Sequence, residues 1–335
     1  MEISLHKTGI LKGVVISMMV WLHLFNNNHT ELCTNLLCFW GEPFAKWLSG
    51  ACGPVGFFLL FSGYGQAYTY GHKGLNYGQQ SKRLLKLYTH WWLVLLLFLP
   101  LAICLRSDHY PGTLKNVVLN MIGWEYGYNG EMWFLFPYCM VSLVSPLLLR
   151  WMDKMGENLS VVITAGIHIF TCFIISRYGA QLLYNNMMVY QPFLFFHFLY
   201  YFSIGAYMYR MKWEVSIPQW LALILIVIAV STMATFSNSV LTMVYVPVLT
   251  ILICNVNFPV SLDRVLTELG HKSMVMWMTH TWLCYYLFQS QVYSLRYPIL
   301  IWGVILASYL IAIPIMWCAR KIFAAVKILE YKKTE

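Results

Sequence analysis

Gly9-Ile-Leu-Lys12-Gly-Val-Val-Ile-Ser-Met-Met-Val-Trp-Leu-His23-Leu-Phe25 is a run long and apolar enough to cross a bilayer, yet it carries a cation and an imidazole. Lys12 and His23 are eleven residues apart. At 100° per residue they fall on nearly one helical face, roughly 16 Å from each other along the axis. An ionisable group inside a membrane span is expensive, so its presence is a functional-site signal. One stripe here carries a cation toward one end and a proton-transfer group toward the other. That suits a site receiving a charged ligand from one side and doing chemistry nearer the other.

The rest of the chain reads the same way. Of 335 residues, 59% are hydrophobic and only 10% charged. Soluble domains carry about 25% charged residues, so this chain has too few to cover a water-facing surface. A span needs about 20 mostly apolar residues. Ten windows qualify, at 8–26, 46–70, 84–105, 131–151, 159–177, 192–210, 218–236, 239–257, 273–290 and 298–319. The stretch 116–124 is too short to cross and reads as re-entrant or interfacial. Connections are short, so residues 1–335 read as one all-α polytopic domain.

With the N-terminus inside, the outer side holds only Lys46, Arg106, Lys115, Arg177 and Arg296, and the inner side holds the other 17 of the 22 Lys and Arg residues. That bias puts both termini in the cytoplasm. The net charge of +9 then reflects topology and contact with anionic lipids rather than nucleic acid. The first span lacks a small-residue cleavage site and reads as a signal-anchor.

Among the nine cysteines, Cys33 and Cys38 share the first outer loop, where an oxidising compartment would allow pairing. The other seven are small hydrophobes in or near spans. No CxxC pair, HExxH, P-loop or GxSxG occurs, so no metal is expected.

Four further clusters carry chemistry. Lys82, Arg83 and Lys86 open the third span with three and four residue offsets, placing them on one face. They either flank a span or hold a phosphorylated ligand. Ser62, Gly63 and Gly65 in the second span allow close approach by a helix or a ligand. Asn129-Gly-Glu131-Met-Trp133 opens the fourth span. There Glu131 is favoured by the helix dipole. Trp124, Tyr126, Tyr128 and Trp133 form either an interfacial belt or a pocket wall. In the ninth span, His280 is either a hydrogen-bonded core residue or a reacting one. His90, His168 and His197 read as polar glue between helices.

Taken together, these residues resemble the membrane-bound acyltransferase-3 family over nearly the whole chain. The resemblance rests on a basic residue, ten intervening residues and a histidine in the first span, and on Phe58-Leu-Leu-Phe-Ser-Gly-Tyr-Gly65 in the second. It also rests on Arg83-Leu-Leu-Lys86, on Trp133-Phe-Leu, and on Leu269-Gly-His-Lys-Ser with Trp277-Met-Thr-His280. Lys12 and Lys86 stand where arginine is commoner; they keep the charge but lose bidentate geometry.

The resemblance implies acyl transfer, usually of acetyl from cytoplasmic acetyl-CoA to a hydroxyl of a cell-surface or lipid-linked glycan. It implies a bacterial inner or plasma membrane location. Lys12, Lys82, Arg83, Lys86, Ser62 and Tyr64 would bind the donor, and Trp124, Tyr128, Trp133 and His280 would line the acceptor pocket. His23 would act as general base or as a transient acyl carrier, with Glu131 orienting it. The residue pattern alone also admits a proton-coupled transporter or flippase, and a ligand sensor without chemistry.

Overall fold

The computed structural model describes residues 3–26, 38–39, 41–179, 185–212, 215–295 and 299–332. The Cys33–Cys38 pairing and Arg296 lie outside them. The described chain is helical, apart from the two-residue strands β1 (Cys38–Phe39) and β2 (Glu42–Pro43). Its helices are α1 (Leu5–Phe25), α2 (Phe44–Ser49), α3 (Val55–Lys73), α4 (Tyr77–Leu105), α5 (Leu114–Met121), α6 (Leu135–Met155) and α7 (Glu157–Tyr178). There follow α8 (Met187–Arg210), α9 (Gln219–Phe236), α10 (Ser239–Cys254), α11 (Val260–Thr281), α12 (Gln289–Tyr293) and α13 (Ile299–Lys332). A 3₁₀ turn, Gly130–Phe134, leads into α6, and a π-helical turn, Trp282–Leu287, follows α11.

Among the described residues, six helical segments are long and apolar enough to cross a membrane: Leu5–Phe25, Tyr77–Leu105, Gly130–Met155, Glu157–Tyr178, Gln219–Phe236 and Ile299–Val326. This is an all-α membrane protein. Several window edges move. The second window is broken after α2 and resumes at α3, because Gly50 to Pro54 interrupt the helix. The third starts earlier, at Asn76, whose side chain caps Gln79 while Gln79 caps it in return. The ninth starts at Val260 and carries Asp263, Arg264, Glu268 and Lys272 before its apolar half. Hydropathy sees only the latter part. The segment expected to be re-entrant or interfacial, 116–124, overlaps α5, which is eight residues long and begins two residues earlier.

Among the six segments α1 is the most buried and Gln219–Phe236 the least. The lysine–histidine stripe therefore runs through the middle of the bundle. Its chief neighbour is α11, and glycine makes the approach possible. A Cβ on Gly270 would sit 1.9 Å from the Gly9 carbonyl oxygen, and one on Gly13 would sit 2.0 Å from that of Leu266. Helices in lipid associate by such backbone contact, since apolar side chains gain nothing over lipid tails. A similar contact joins α3 to α8, where a Cβ on Gly63 would meet the Phe202 carbonyl oxygen at 2.0 Å.

Candidate active site

Close packing of α1 on α11 brings His23 to His280. His280 is fully buried, and its Nδ1 lies 2.9 Å from the carbonyl oxygens of both Met276 and Trp277. Carbonyls only accept, so Nδ1 carries the proton and Nε2 presents its lone pair. That Nε2 is 2.7 Å from His23 Nδ1. His23 must then donate from Nδ1, which turns its Nε2 the other way. There it meets the Glu131 carboxylate, with Nε2 to Oε2 at 2.9 Å. The order Glu131–His23–His280 fixes every proton but one, which is shared between His23 Nε2 and Glu131.

The surroundings hold this pair in place. Asn129 is fully buried, and its Oδ1 accepts from the Glu131 backbone N–H at 3.2 Å and from the Thr281 hydroxyl at 2.9 Å. Its amide donates to the Met278 carbonyl at 3.2 Å. The 3₁₀ turn carrying Glu131 is thus pinned to α11. The Trp277 indole donates to the Glu131 carbonyl at 3.2 Å, and the Tyr286 hydroxyl accepts from the Gly130 N–H at 2.7 Å. On the other side, the Tyr285 hydroxyl donates to the His23 carbonyl, and that of Tyr293 donates to Leu24 at 3.1 Å. Tyr285 belongs to the π-helical turn, a device often found at functional sites.

Toward the opposite end of α1 lies a cavity of about 360 Å³, within the range of small-molecule sites. Lys12, Arg83, Lys86 and His90 contribute polar groups to it; Phe58, Phe61, Phe134 and Trp277 contribute apolar walls. Arg83 reaches the hydroxyls of Ser62 at 3.4 Å and Tyr138 at 3.3 Å. Lys86 lies over the Phe323 ring. Among the described residues, none of these three cations forms an ion pair with a carboxylate. Three uncompensated cations on a partly apolar cavity make a receptor for an anion. Phe134 and Trp277, ring centroids 5.5 Å apart, form a wall of this cavity. Trp277 also holds the Glu131 backbone, so one residue touches both the cationic chamber and the carboxylate–histidine pair.

The family model for the acyltransferase domain matches residues 9–319. The chain belongs to the acyltransferase-3 family. No curated protein and no solved structure gives a significant match.

Within this acyltransferase the expected site residues divide. Lys12, Ser62, Arg83 and Lys86 line the cavity, and His23 contacts Glu131. His280, expected in the acceptor pocket, is enclosed behind His23, because it lies one turn beyond Trp277 on the face packed against α1. Lys82 is exposed outside the cavity lining, since α4 turns Arg83, Leu84, Lys86, Leu87 and His90 inward instead. Tyr64 also lies away from it, accepting from the Ile3 N–H at 2.8 Å. Tyr128 is buried in the connection between α5 and α6, with its backbone N–H held by Asn120 at 2.9 Å. Trp124 packs edge-on against Phe136. Trp133 packs on Phe134 and Phe198 and also reaches the Glu131 carboxylate.

Tyr138 and Tyr285 stand outside the sequence motifs, and Asn129, Trp277 and the glycines of α1 and α11 stand within them without an assigned role. The Gly9-x-x-x-Gly13 spacing is the one clear signal that could have found the α1–α11 contact.

Proposed function

We propose that this acyltransferase moves acetyl from cytoplasmic acetyl-CoA to a hydroxyl of a cell-surface or lipid-linked glycan in a bacterial inner or plasma membrane. The chain would cross ten times with both termini in the cytoplasm. The observation that carries the reading is the pairing of a carboxylate-free cationic cavity with the Glu131–His23–His280 array at the far end of the same helix.

The phosphates of the donor meet Lys12, Arg83 and Lys86, and the acyl-pantetheine arm extends past Phe134 and Trp277 toward Glu131. The acceptor hydroxyl loses its proton to the second oxygen of the Glu131 carboxylate, whose Oε2 shares the pair's resident proton with His23 Nε2, as the acceptor oxygen attacks the thioester carbonyl carbon. Collapse of the tetrahedral intermediate breaks the C–S bond, and the pair returns the proton to the CoA thiolate. The pair ends as it began.

Proton placement favours this general-base route over an acyl-histidine. His23 Nδ1 is committed to His280, so acylation would have to occur at Nε2, which shares its proton with the Glu131 carboxylate 2.9 Å away. Acylating it would first displace Glu131. A general base needs no such movement.

The test is acetyl transfer by purified protein with labelled acetyl-CoA, and a glycan extract as acceptor. Labelled glycan from wild type but not from His23→Ala is expected. Binding of the donor without transfer or hydrolysis would send the reading back to transport.

A further inference from the structure

Outside the Glu131–His23–His280 array, α7 and α8 bring together a second pair of histidines and a thiol. His168 and Cys172 are four residues apart on one face of α7, and His197 projects from α8. One ligand atom from each lies within 4.8 Å of the others. His168 is ten or more residues from either end of α7, so the cluster lies near the middle of both helices.

The hydrogen bonds dispose of one nitrogen on each ring. His168 Nδ1 donates to the His197 carbonyl at 2.8 Å. The Thr171 hydroxyl donates to the His168 carbonyl at 2.7 Å, so its lone pair accepts from His197 Nδ1 at 2.8 Å. Both imidazoles are therefore locked with the proton on Nδ1 and a lone pair on Nε2. Nδ1–H bonded to a carbonyl or hydroxyl is how proteins orient a metal-ligating histidine. His168 is fully buried, and its Nε2 makes no hydrogen bond of good geometry; the Ser239 backbone is the polar group that approaches the ring. Interhelical glue accounts for the Nδ1 atoms alone. A buried nitrogen lone pair left over beside a thiol and a second imidazole is unexplained by packing.

We propose that His168, Cys172 and His197 form a metal site that takes Cu(I). Two imidazoles and a thiolate are soft and borderline donors, the set suited to Cu(I) or Zn(II). Charge decides between them at this depth. A thiolate with Cu(I) is neutral overall, whereas the same ligands with Zn(II) leave a net positive charge among apolar helices, where burying charge is costly. Zn(II) also asks for a fourth ligand. Binding releases the Cys172 proton to solvent and changes no oxidation state. The three ligand atoms need only draw in from within 4.8 Å to about 3.5 Å, the separation set by metal–ligand bonds near 2.0–2.3 Å. The bound ion would clamp α7 to α8, leaving the acyl-transfer residues untouched.

The experiment is titration of full-length protein in detergent with Cu(I) under anaerobic reducing conditions, read by competition with a chromophoric Cu(I) chelator. X-ray absorption then reports the ligands. Wild type and Cys318→Ser should bind one equivalent, with one sulfur and two nitrogen ligands and a raised melting temperature. Cys172→Ser should weaken binding at least a hundredfold and lose the sulfur signal, and His168→Ala should abolish binding. Cys172→Ser keeps the volume and controls for misfolding, and its elution profile should match wild type. Absence of stoichiometric binding by wild type overturns the proposal. So does binding that survives in both variants, or Zn(II) displacing Cu(I) at equal concentration.

Discussion

Removing the Arg83 guanidinium tests the donor cavity most sharply, because its present contacts are weak. Among the described residues, Arg83 has two long hydrogen bonds to hydroxyls, 3.4 and 3.3 Å, and no carboxylate partner. Arg83→Gln therefore gives up little folding energy. It also relieves repulsion with Lys12, which faces the same chamber. With donor bound, the same side chain makes charge-assisted hydrogen bonds to phosphate, each worth about 1.5–3 kcal/mol. The mutant should lose at least one of these, raising the acetyl-CoA Kd about ten- to a hundredfold. Its melting temperature without donor should equal or exceed that of wild type. Arg83→Gln/Lys86→Gln should bind more weakly still and respond less to salt, since the interaction is Coulombic. Isothermal titration in detergent at two salt concentrations measures both effects. A double mutant that stays folded and binds acetyl-CoA within twofold of wild type would refute the phosphate-site reasoning.

Glu131→Gln keeps the shape of the 3₁₀ turn but cannot accept a proton; single-turnover transfer should fall by a factor on the order of 10² or more, with the donor Kd unchanged. Gly270→Ala places a methyl 1.9 Å from the Gly9 carbonyl oxygen and should destabilise the protein by at least about 1–3 kcal/mol, whereas Gly65→Ala, with nothing within 4 Å, should melt like wild type. For topology, a membrane-impermeant thiol reagent applied to intact cells should reach Cys38 after reduction and should not reach Gly74→Cys; the reverse pattern would put the cationic cavity on the wrong side for cytoplasmic CoA.

What the sequence made legible was whatever lies within one helix. The Lys12–His23 stripe needed only the helical repeat, and Arg83 with Lys86 needed only an offset of three. Glu131 against His23 is a contact across 108 positions, made because Asn129 pins its turn to α11. No spacing encodes it. His280 shows the same limit in reverse. Its place on an apolar helix was readable, but whether it faced the acceptor or the back of His23 depended on how closely α11 approaches α1. That distance is set by glycines, which hydropathy does not weigh. The edges of α3 and α11 shifted for a similar reason. A Gly–Pro interruption and a charged first half matter to backbone geometry and capping, while a hydropathy window averages over them.

The most direct measurement compares turnover and donor affinity in His23→Ala. Reconstituted protein with labelled acetyl-CoA and acceptor should transfer acetyl at least on the order of 10²-fold more slowly than wild type, while the acetyl-CoA Kd stays within twofold because Lys12 is about 16 Å away along α1. Wild-type turnover in His23→Ala would contradict the account, since no other residue in the array has a nitrogen facing both Glu131 and His280.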